Sequence, residues 1–485
     1  MKLRILLQHI DTIQIIGSSD LEIRSIDSNS RKIEPEAMFV ARKGELSDGH
    51  LFITNAIEKG AVAIVCQTLP ENLHQGVTYI LVNNSDVQLG RLAAAFYGFP
   101  SRQIKVVGVT GTNGKTSIAT LLYEMFMQLG YRSGLISTIS YKVNNRTETA
   151  THTTPDALKI QKLLSQMVKE GCGYCFMEVS SHAVQQQRIE GVEFAGGLFT
   201  NITHDHLDYH KTFAAYIKAK KAFFDQLPAD AFAITNIDDK NGQVMLQNTR
   251  AKKVTCSMRS MADFRCKVLE NHFDGMLLNL DDNEVWTRFV GKFNASNLLE
   301  VYAAAFCLNQ KKEEVLAVLS NLRPVKGRFE TVRSNDGRLA IIDYAHTPDA
   351  LKNVLAAIDE MRNHKEQVIT VVGAGGDRDR AKRPEMAKEA VEASDKVILT
   401  SDNPRTENPA QIIKDMEAGV SEAHGKKVVS IENRREAIKT AALLAHPGDI
   451  ILIAGKGHEN YQEVNGVKHH FDDVEEIKMC FGVND

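Results

Sequence analysis

Residues 104–130 read IKVVGVTGTNGKTSIATLLYEMFMQLG, and the rest of the chain is organised around them. A β-branched run, Ile104 to Val109, leads into the glycine-rich turn Gly111-Thr112-Asn113-Gly114-Lys115-Thr116-Ser117. Beyond it, Ile118, Leu121, Leu122, Met125, Phe126 and Leu129 recur at helical spacing that stops at Gly130. Strand, glycine loop and helix form the arrangement that points free backbone N–H groups and a positive helix end at a phosphate. Lys115 would reach the terminal phosphates, and the Thr116 hydroxyl would ligate Mg²⁺. Val109 stands where the strict phosphate-loop pattern has its first glycine, leaving G-x-x-G-K-T. The loop is read as an ATP site, against the alternative of a plain glycine-rich turn.

The chain of 485 residues is too long for one core and suggests about three domains. A 43% apolar and 25% charged composition is that of an ordinary globular protein. A net charge of −3 argues against a dedicated nucleic-acid or membrane surface. No apolar run approaches the roughly 20 residues that span a bilayer, and no leader-like cleavage pattern follows the first residues, so no membrane insertion is expected. Seven scattered cysteines fit a reducing cytoplasm, and Cys172 and Cys175 are read as structural.

Residues 1–100 alternate short strands with turn residues, then a helix (Ile53 to Lys59) and a buried strand (Ala61 to Cys66). Ser30, Arg31, Lys43 and the Asp48-Gly-His50 loop suit a phosphorylated ligand, the alternative being solvated loop charge. Phe99-Pro100-Ser101 breaks the pattern and marks a boundary. From 101 to 330 strands and helices alternate as in an α/β domain. Chemistry-bearing groups follow three segments: Glu178-Val-Ser180-Ser-His182, His204-Asp205-His206-Leu-Asp208-Tyr-His210, and Ala219-Lys220-Lys221 on a helix. No zinc pattern is present, and oxygen donors beside a nucleotide loop favour Mg²⁺. Asn294 and Asn297 open a further helix with amides suited to a purine edge, or to a helix cap.

From 331 to 485 the α/β pattern is cleanest, with strands at Leu339 to Asp343, Gln367 to Val372, Lys396 to Thr400, Lys427 to Ile431 and Asp449 to Ala454. Ligands in such sheets bind beyond the carboxyl ends of the strands. Those ends carry Asp343-Tyr-Ala-His346, Gly373 to Asp379, Asp402-Asn403-Pro404-Arg405 and Gly455 to Glu459, a mixture of carboxylates and arginines suited to a zwitterion.

Taken together, GTNGKT at 111, TTP at 153, MEVSSH at 177, DHLDYH at 205, FNASN at 293, GRFE at 327, DYAHTPDAL at 343 and GGDRD at 375 resemble the Mur ligase family over essentially the whole chain. DYAHTPDAL, GGDRDRAKRPEM and GKGHE are similar to its MurE type. The resemblance implies an N-terminal UDP-binding domain (1–100), a central ATPase domain of phosphate-loop type (101–330) and a C-terminal Rossmann-like domain (331–485). It implies ATP-dependent, ADP-forming addition of meso-2,6-diaminopimelate to the D-glutamate γ-carboxylate of UDP-N-acetylmuramoyl-L-alanyl-D-glutamate in peptidoglycan synthesis, by a cytoplasmic monomer.

By the same resemblance, Lys115, Glu178, His206, Lys220 and His346 carry the chemistry. Thr116, Glu178, His206 and Lys220, the last as a carbamate, would hold Mg²⁺. The loop Gly111 to Ser117 with Asn294, Arg328 and Asp343 would hold ATP. Ser30, Thr153, Thr154, Ser180, Gln186 and Arg188 match positions for the UDP-linked dipeptide. Arg383, Asp402, Asn403, Pro404, Arg405, Gly455 and Glu459 match the amino-acid pocket. A guanidinium at Arg405 suits the far carboxylate of diaminopimelate, where lysine would bring a repelled ammonium. His346 is a candidate base or an orienting group. Ala374, Lys326, His204 and Asn433 depart from the family's commoner residues, and none is assigned to chemistry. The rival expectations are a folylpolyglutamate synthetase-like ligase, which would lack DNPR and TTPD, and a non-catalytic nucleotide-binding scaffold.

Overall fold

The computed structural model describes residues 1–44, 47–203, 205 and 207–483. Three sheets divide the chain into three α/β domains. The N-terminal sheet has five strands, the central sheet eleven and the C-terminal sheet six, and a two-stranded ribbon (Tyr461–Val464, Val467–His470) follows the last.

In the central domain the strand Lys105–Thr110 lies between Tyr174–Glu178 and Phe194–Phe199, parallel to both. Val106, Val107 and Val109 are fully buried, as a strand covered on both faces requires. The period of two splits them. Val107 and Val109 face the helices Lys115–Gln128 and Lys292–Cys307, while Val106 packs with Met177, Met167 and Phe223 on the other face. Each such aliphatic side chain stabilises the fold by roughly 1.5–3 kcal/mol.

The helix Lys115–Gln128 buries the predicted face, Ile118, Leu121, Leu122, Met125 and Phe126, and the chain turns left-handed at Gly130 with φ 89°. Its entry needs Gly114. There φ is 88°, and a Cβ would come 2.6 Å from Asn297 Oδ1. The register Glu178↔Val109 and Phe199↔Thr110 brings the ends of three strands level with the loop that follows Thr110.

In the C-terminal domain five parallel strands run in the spatial order Leu339–Asp343, Ile450–Ala454, Val368–Ala374, Lys396–Ser401, Val428–Ser430, with Glu330–Arg333 antiparallel at one edge. Their shared direction places the charged loops after Asp343, Ala374, Ser401 and Ala454 on one rim. A buried ion pair braces that rim: Arg434 donates to Asp473 at 2.7 and 2.8 Å and to the carbonyl of Ala454 at 3.0 Å.

Cys172 and Cys175 are buried free thiols. Among the described residues no helix is long and apolar enough to cross a membrane.

Candidate active site

The C-terminal rim faces the glycine loop of the central domain across a cleft of about 1020 Å³. Lys115, Glu178 and Lys220 line it from one side, and His346, Asp402, Asn403, Arg405 and Glu459 from the other. A different cavity, about 1030 Å³, opens between the N-terminal and central domains near Arg102 and Glu193 and holds none of the predicted site residues.

Lys115 folds back onto its own loop. Its Nζ donates to the carbonyls of Gly111 (2.9 Å) and Thr112 (2.8 Å). Desolvation holds its pKa below the ordinary lysine value, opposed by the charges of Glu178 and Asp205. Lys220, 1% exposed, also donates to the Gly111 carbonyl, at 2.7 Å, and its Nζ sits 4.7 Å from the centre of the Tyr216 ring. Burial, and then the charge of Lys115, push its pKa well down.

Glu178 is fully buried. Its Oε1 accepts from the Thr138 N–H at 2.7 Å, and among the described residues Oε2 has no partner. A buried carboxylate oxygen left open beside two amines and the Thr116 hydroxyl fits a hard cation that takes oxygen ligands. Among the described residues no three His, Cys, Asp or Glu side chains gather at metal-binding distance. Few protein ligands suit Mg²⁺, which keeps waters and substrate phosphates. His206, expected as a further ligand, lies outside the described residues, as does His204.

Arg328, at the domain junction, donates from Nη2 to Thr116 Oγ1 at 3.2 Å and lies over the Tyr344 ring at 4.5 Å. Asp343 accepts from the Phe329 N–H at 2.7 Å, and burial pushes its carboxyl up to about 6. Asn294 donates to the Val290 carbonyl at 2.8 Å and accepts from Asn297 at 3.4 Å, which leaves one N–H of its amide uncommitted by these bonds. His346 Nδ1 lies 2.9 Å from the Tyr344 carbonyl, which can only accept. That nitrogen therefore carries the proton and Nε2 the lone pair. Desolvation lowers the pKa of this histidine, against the pull of Asp205.

Thr153, Thr154, Ser180 and Arg188 line the cleft beside Glu178, and Gln186 and Ser30 do not. Thr154 Oγ1 donates to the Glu178 carbonyl (2.7 Å) and accepts from the Ser180 N–H (3.1 Å), while Arg188 donates to the Thr154 carbonyl (2.8 Å). Gln186 accepts from Arg188 Nε at 2.9 Å, behind that wall. Ser30 sits in the N-terminal domain in a short 3₁₀ turn capped by Asn29.

Among the residues expected to form the amino-acid pocket, Asn403 Nδ2 donates to Glu459 at 2.7 Å, and the buried Lys456 reaches Asn403 (3.2 Å) and Glu459 (3.4 Å). Burial, with Asp402 nearby, raises the Glu459 carboxyl above its ordinary value, so an incoming cation would be welcome. Gly455 has φ 116°, and a Cβ there would lie 2.6 Å from Asp402 Oδ2. Pro404 carries the turn from Asn403 to Arg405, whose Nη1 donates to the Gly376 carbonyl at 2.6 Å. Arg383 lines the cleft, and its guanidinium pairs with Glu407 (2.7 and 3.0 Å) and Asp415 (2.8 Å), while among the described residues its buried Nε has no partner.

Two contacts across the cleft had no assigned role from sequence. Asp349 accepts from Asn113 Nδ2 of the glycine loop at 2.9 Å and from Thr203 Oγ1 at 3.3 Å. Lys382 pairs with Asp205. Asp349 lies inside the DYAHTPDAL marker and Lys382 inside KRPEM, which was the available signal, but neither segment names its partner.

A glycine loop at a strand–helix junction, a lysine-rich floor with an open carboxylate, and a facing α/β rim define a three-domain nucleotide-dependent ligase. Residues 22–97 match the Mur ligase family catalytic domain, 109–305 the Mur ligase middle domain, and 327–457 the Mur ligase glutamate ligase domain. The chain is 59% identical over 481 residues to a protein of Phocaeicola vulgatus named UDP-N-acetylmuramoyl-L-alanyl-D-glutamate–2,6-diaminopimelate ligase, covering 99% of both chains. It is 56% identical to the protein of that name from Bacteroides fragilis, covering all of both. A solved structure of a ligase of the same name superposes with a TM-score of 0.69 at 33% identity, covering 97% of each chain. The chain belongs to the Mur ligase family.

Proposed function

We infer that this chain joins an amine of meso-2,6-diaminopimelate to the D-glutamate γ-carboxylate of UDP-N-acetylmuramoyl-L-alanyl-D-glutamate, with ATP as phosphoryl donor. The observation that carries this reading is the single cleft lined by Lys115, Glu178 and Lys220 on one wall and by Asp402, Arg405 and Glu459 on the other. Full-length similarity to ligases bearing that name supports it.

The γ-carboxylate oxygen attacks the γ-phosphorus, the bond to the β–γ bridging oxygen breaks, and ADP leaves an acyl phosphate. The free amine then attacks the acyl carbon, and the tetrahedral adduct expels inorganic phosphate as the amide forms. Such transfers depend mostly on positioning and charge neutralisation. Lys115 meets the β- and γ-phosphates, Arg328 and Asp343 the nucleotide from the domain junction, and Asn294 the base.

Thr116, Glu178, His206 and a carbamylated Lys220 would hold Mg²⁺, which neutralises phosphate charge when bound. The depressed amine of Lys220 suits the addition of CO₂, which releases one proton and leaves a carboxylate-like ligand. Arg405 takes the far carboxylate of diaminopimelate as a bidentate pair, and Glu459, flanked by Asp402 and Asn403, its ammonium. Gly455 and Pro404 shape that pocket, and Arg383 supports it. Ser30, Thr153, Thr154, Ser180, Gln186 and Arg188 hold the UDP-linked dipeptide. His346 Nε2 accepts the amine proton. The enzyme is read as a cytoplasmic monomer with no nucleic-acid partner.

Phosphate release from ATP, measured with each substrate omitted in turn, tests this. Release should need both the UDP-linked dipeptide and an amino acid, with diaminopimelate far ahead of lysine. Lysine serving equally well would remove the assignment of the amino acid.

A further inference from the structure

Glu300 interrupts the apolar run of the helix Lys292–Cys307, between Leu299 and Val301, both buried. It lies three residues beyond Asn297 and six beyond Asn294, so the three share one stripe of the helix. All three line the cleft, and Asn297 lies against Gly114 of the nucleotide loop. Glu300 is 1% exposed, yet neither carboxyl oxygen has a hydrogen-bond partner among the described residues. A buried carboxyl that no protein group hydrogen-bonds costs stability, and a ligand group that pairs with it removes that cost. Burial alone pushes it well above the usual carboxylate range, toward the carboxylic acid, which has one donor and one acceptor.

We propose that Glu300 reads the base of the nucleotide: its carbonyl oxygen accepts from the exocyclic 6-amino group of adenine and its hydroxyl donates to the adjacent ring nitrogen. This deepens the ligase reading and rests on its placement of the base at Asn294. The pairing has the donor–acceptor order with which glutamine meets adenine. A base lacking the 6-amino hydrogens leaves the carbonyl oxygen unpaired in a buried site. Asn294 offers the base one N–H, its oxygen already accepting from Asn297, so the acceptor for the 6-amino group must come from elsewhere.

The test compares dissociation constants for ATP and for purine riboside 5′-triphosphate, the same base without the amino group. Both are measured with excess Mg²⁺ and no other substrate, in the wild-type chain, Glu300→Gln and Glu300→Leu. The wild type should bind ATP about tenfold more tightly than the analogue. E300Q, whose amide oxygen accepts from the same group, should keep that preference. E300L should bind both nucleotides alike, at the level of the wild type with the analogue. Its melting temperature should be no lower than that of the wild type, because an unpartnered carboxyl has gone. If E300L does not fold, Glu300→Ala adds no bulk and is read in the same way. A wild type that binds both nucleotides equally, or an apolar variant that keeps the tenfold preference, overturns the proposal whatever the ligase assay returns. A preserved preference with no diaminopimelate-dependent phosphate release would overturn only the ligase reading.

Discussion

Lys115 and Lys220 donate to the same oxygen, the carbonyl of Gly111, at 2.9 and 2.7 Å. Burial and the charge of Lys115 lower the pKa of the more deeply buried Lys220 further than burial lowers that of Lys115. It is therefore the amine expected to react with CO₂. With ¹³C-bicarbonate the wild type should give a carbamate carbon resonance that Lys220→Met lacks. K220M should lose about 100-fold or more in kcat, the scale of losing a preorganised charge at a transition state. A variant with unchanged turnover would remove Lys220 from the chemistry.

Arg405 holds a left-handed backbone (φ 52°), its Nη1 donates to the Gly376 carbonyl and its Nε lies 3.9 Å from Glu463. Truncating one partner of a desolvated charge pair costs about 2–5 kcal/mol. Arg405→Ala should raise the KM for diaminopimelate at least about 30-fold while the KM for ATP stays nearly constant. Equal losses in both would point to collapse of the rim.

Asp349 ties the C-terminal domain to the nucleotide loop through Asn113. Hydrogen bonds to charged groups contribute about 1.5–3 kcal/mol, enough to shift an open–closed equilibrium roughly 10- to 100-fold. Asp349→Ala should enlarge the radius of gyration in solution scattering and raise the KM for ATP. An unchanged scattering profile would show that closure does not depend on this contact.

Asp343 has a folded-state pKa of about 6 against an ordinary 3.8, because it is buried. The folded form therefore binds the proton more tightly than the unfolded form. The stability this group provides is complete below pH 3.8 and falls as pH rises through 6, by on the order of 3 kcal/mol. Urea unfolding of the wild type minus that of Asp343→Asn, followed from pH 4 to 7, isolates this contribution. The difference should move against the wild type as pH rises, and a flat difference would rule out the raised value.

Much of the fold was legible along the chain. The β-branched run before Gly111, the helix closing at Gly130 and the five strands of the last domain follow from periodicities set within a few residues. The charged loops after Asp343, Ala374, Ser401 and Ala454 could be placed on one rim because parallel strands share a direction. Partnerships across long separations were not legible. Nothing near Arg383 announces that Glu407 and Asp415 pair with its guanidinium, and nothing near Asn113 names Asp349. The position of Glu300 in an apolar helix was visible, but not that its carboxyl would be left without a partner.

By itself, then, the sequence determined the secondary elements, the glycine-rich loop at the strand–helix junction and the kinds of chemical group at each strand end. Local backbone preference and side-chain period decide these without distant help. Only the tertiary structure decided which of those groups meet, which amines have their pKa pushed down and which carboxyl stays open. Burial and Coulomb interaction act through space, between segments that sequence distance does not relate.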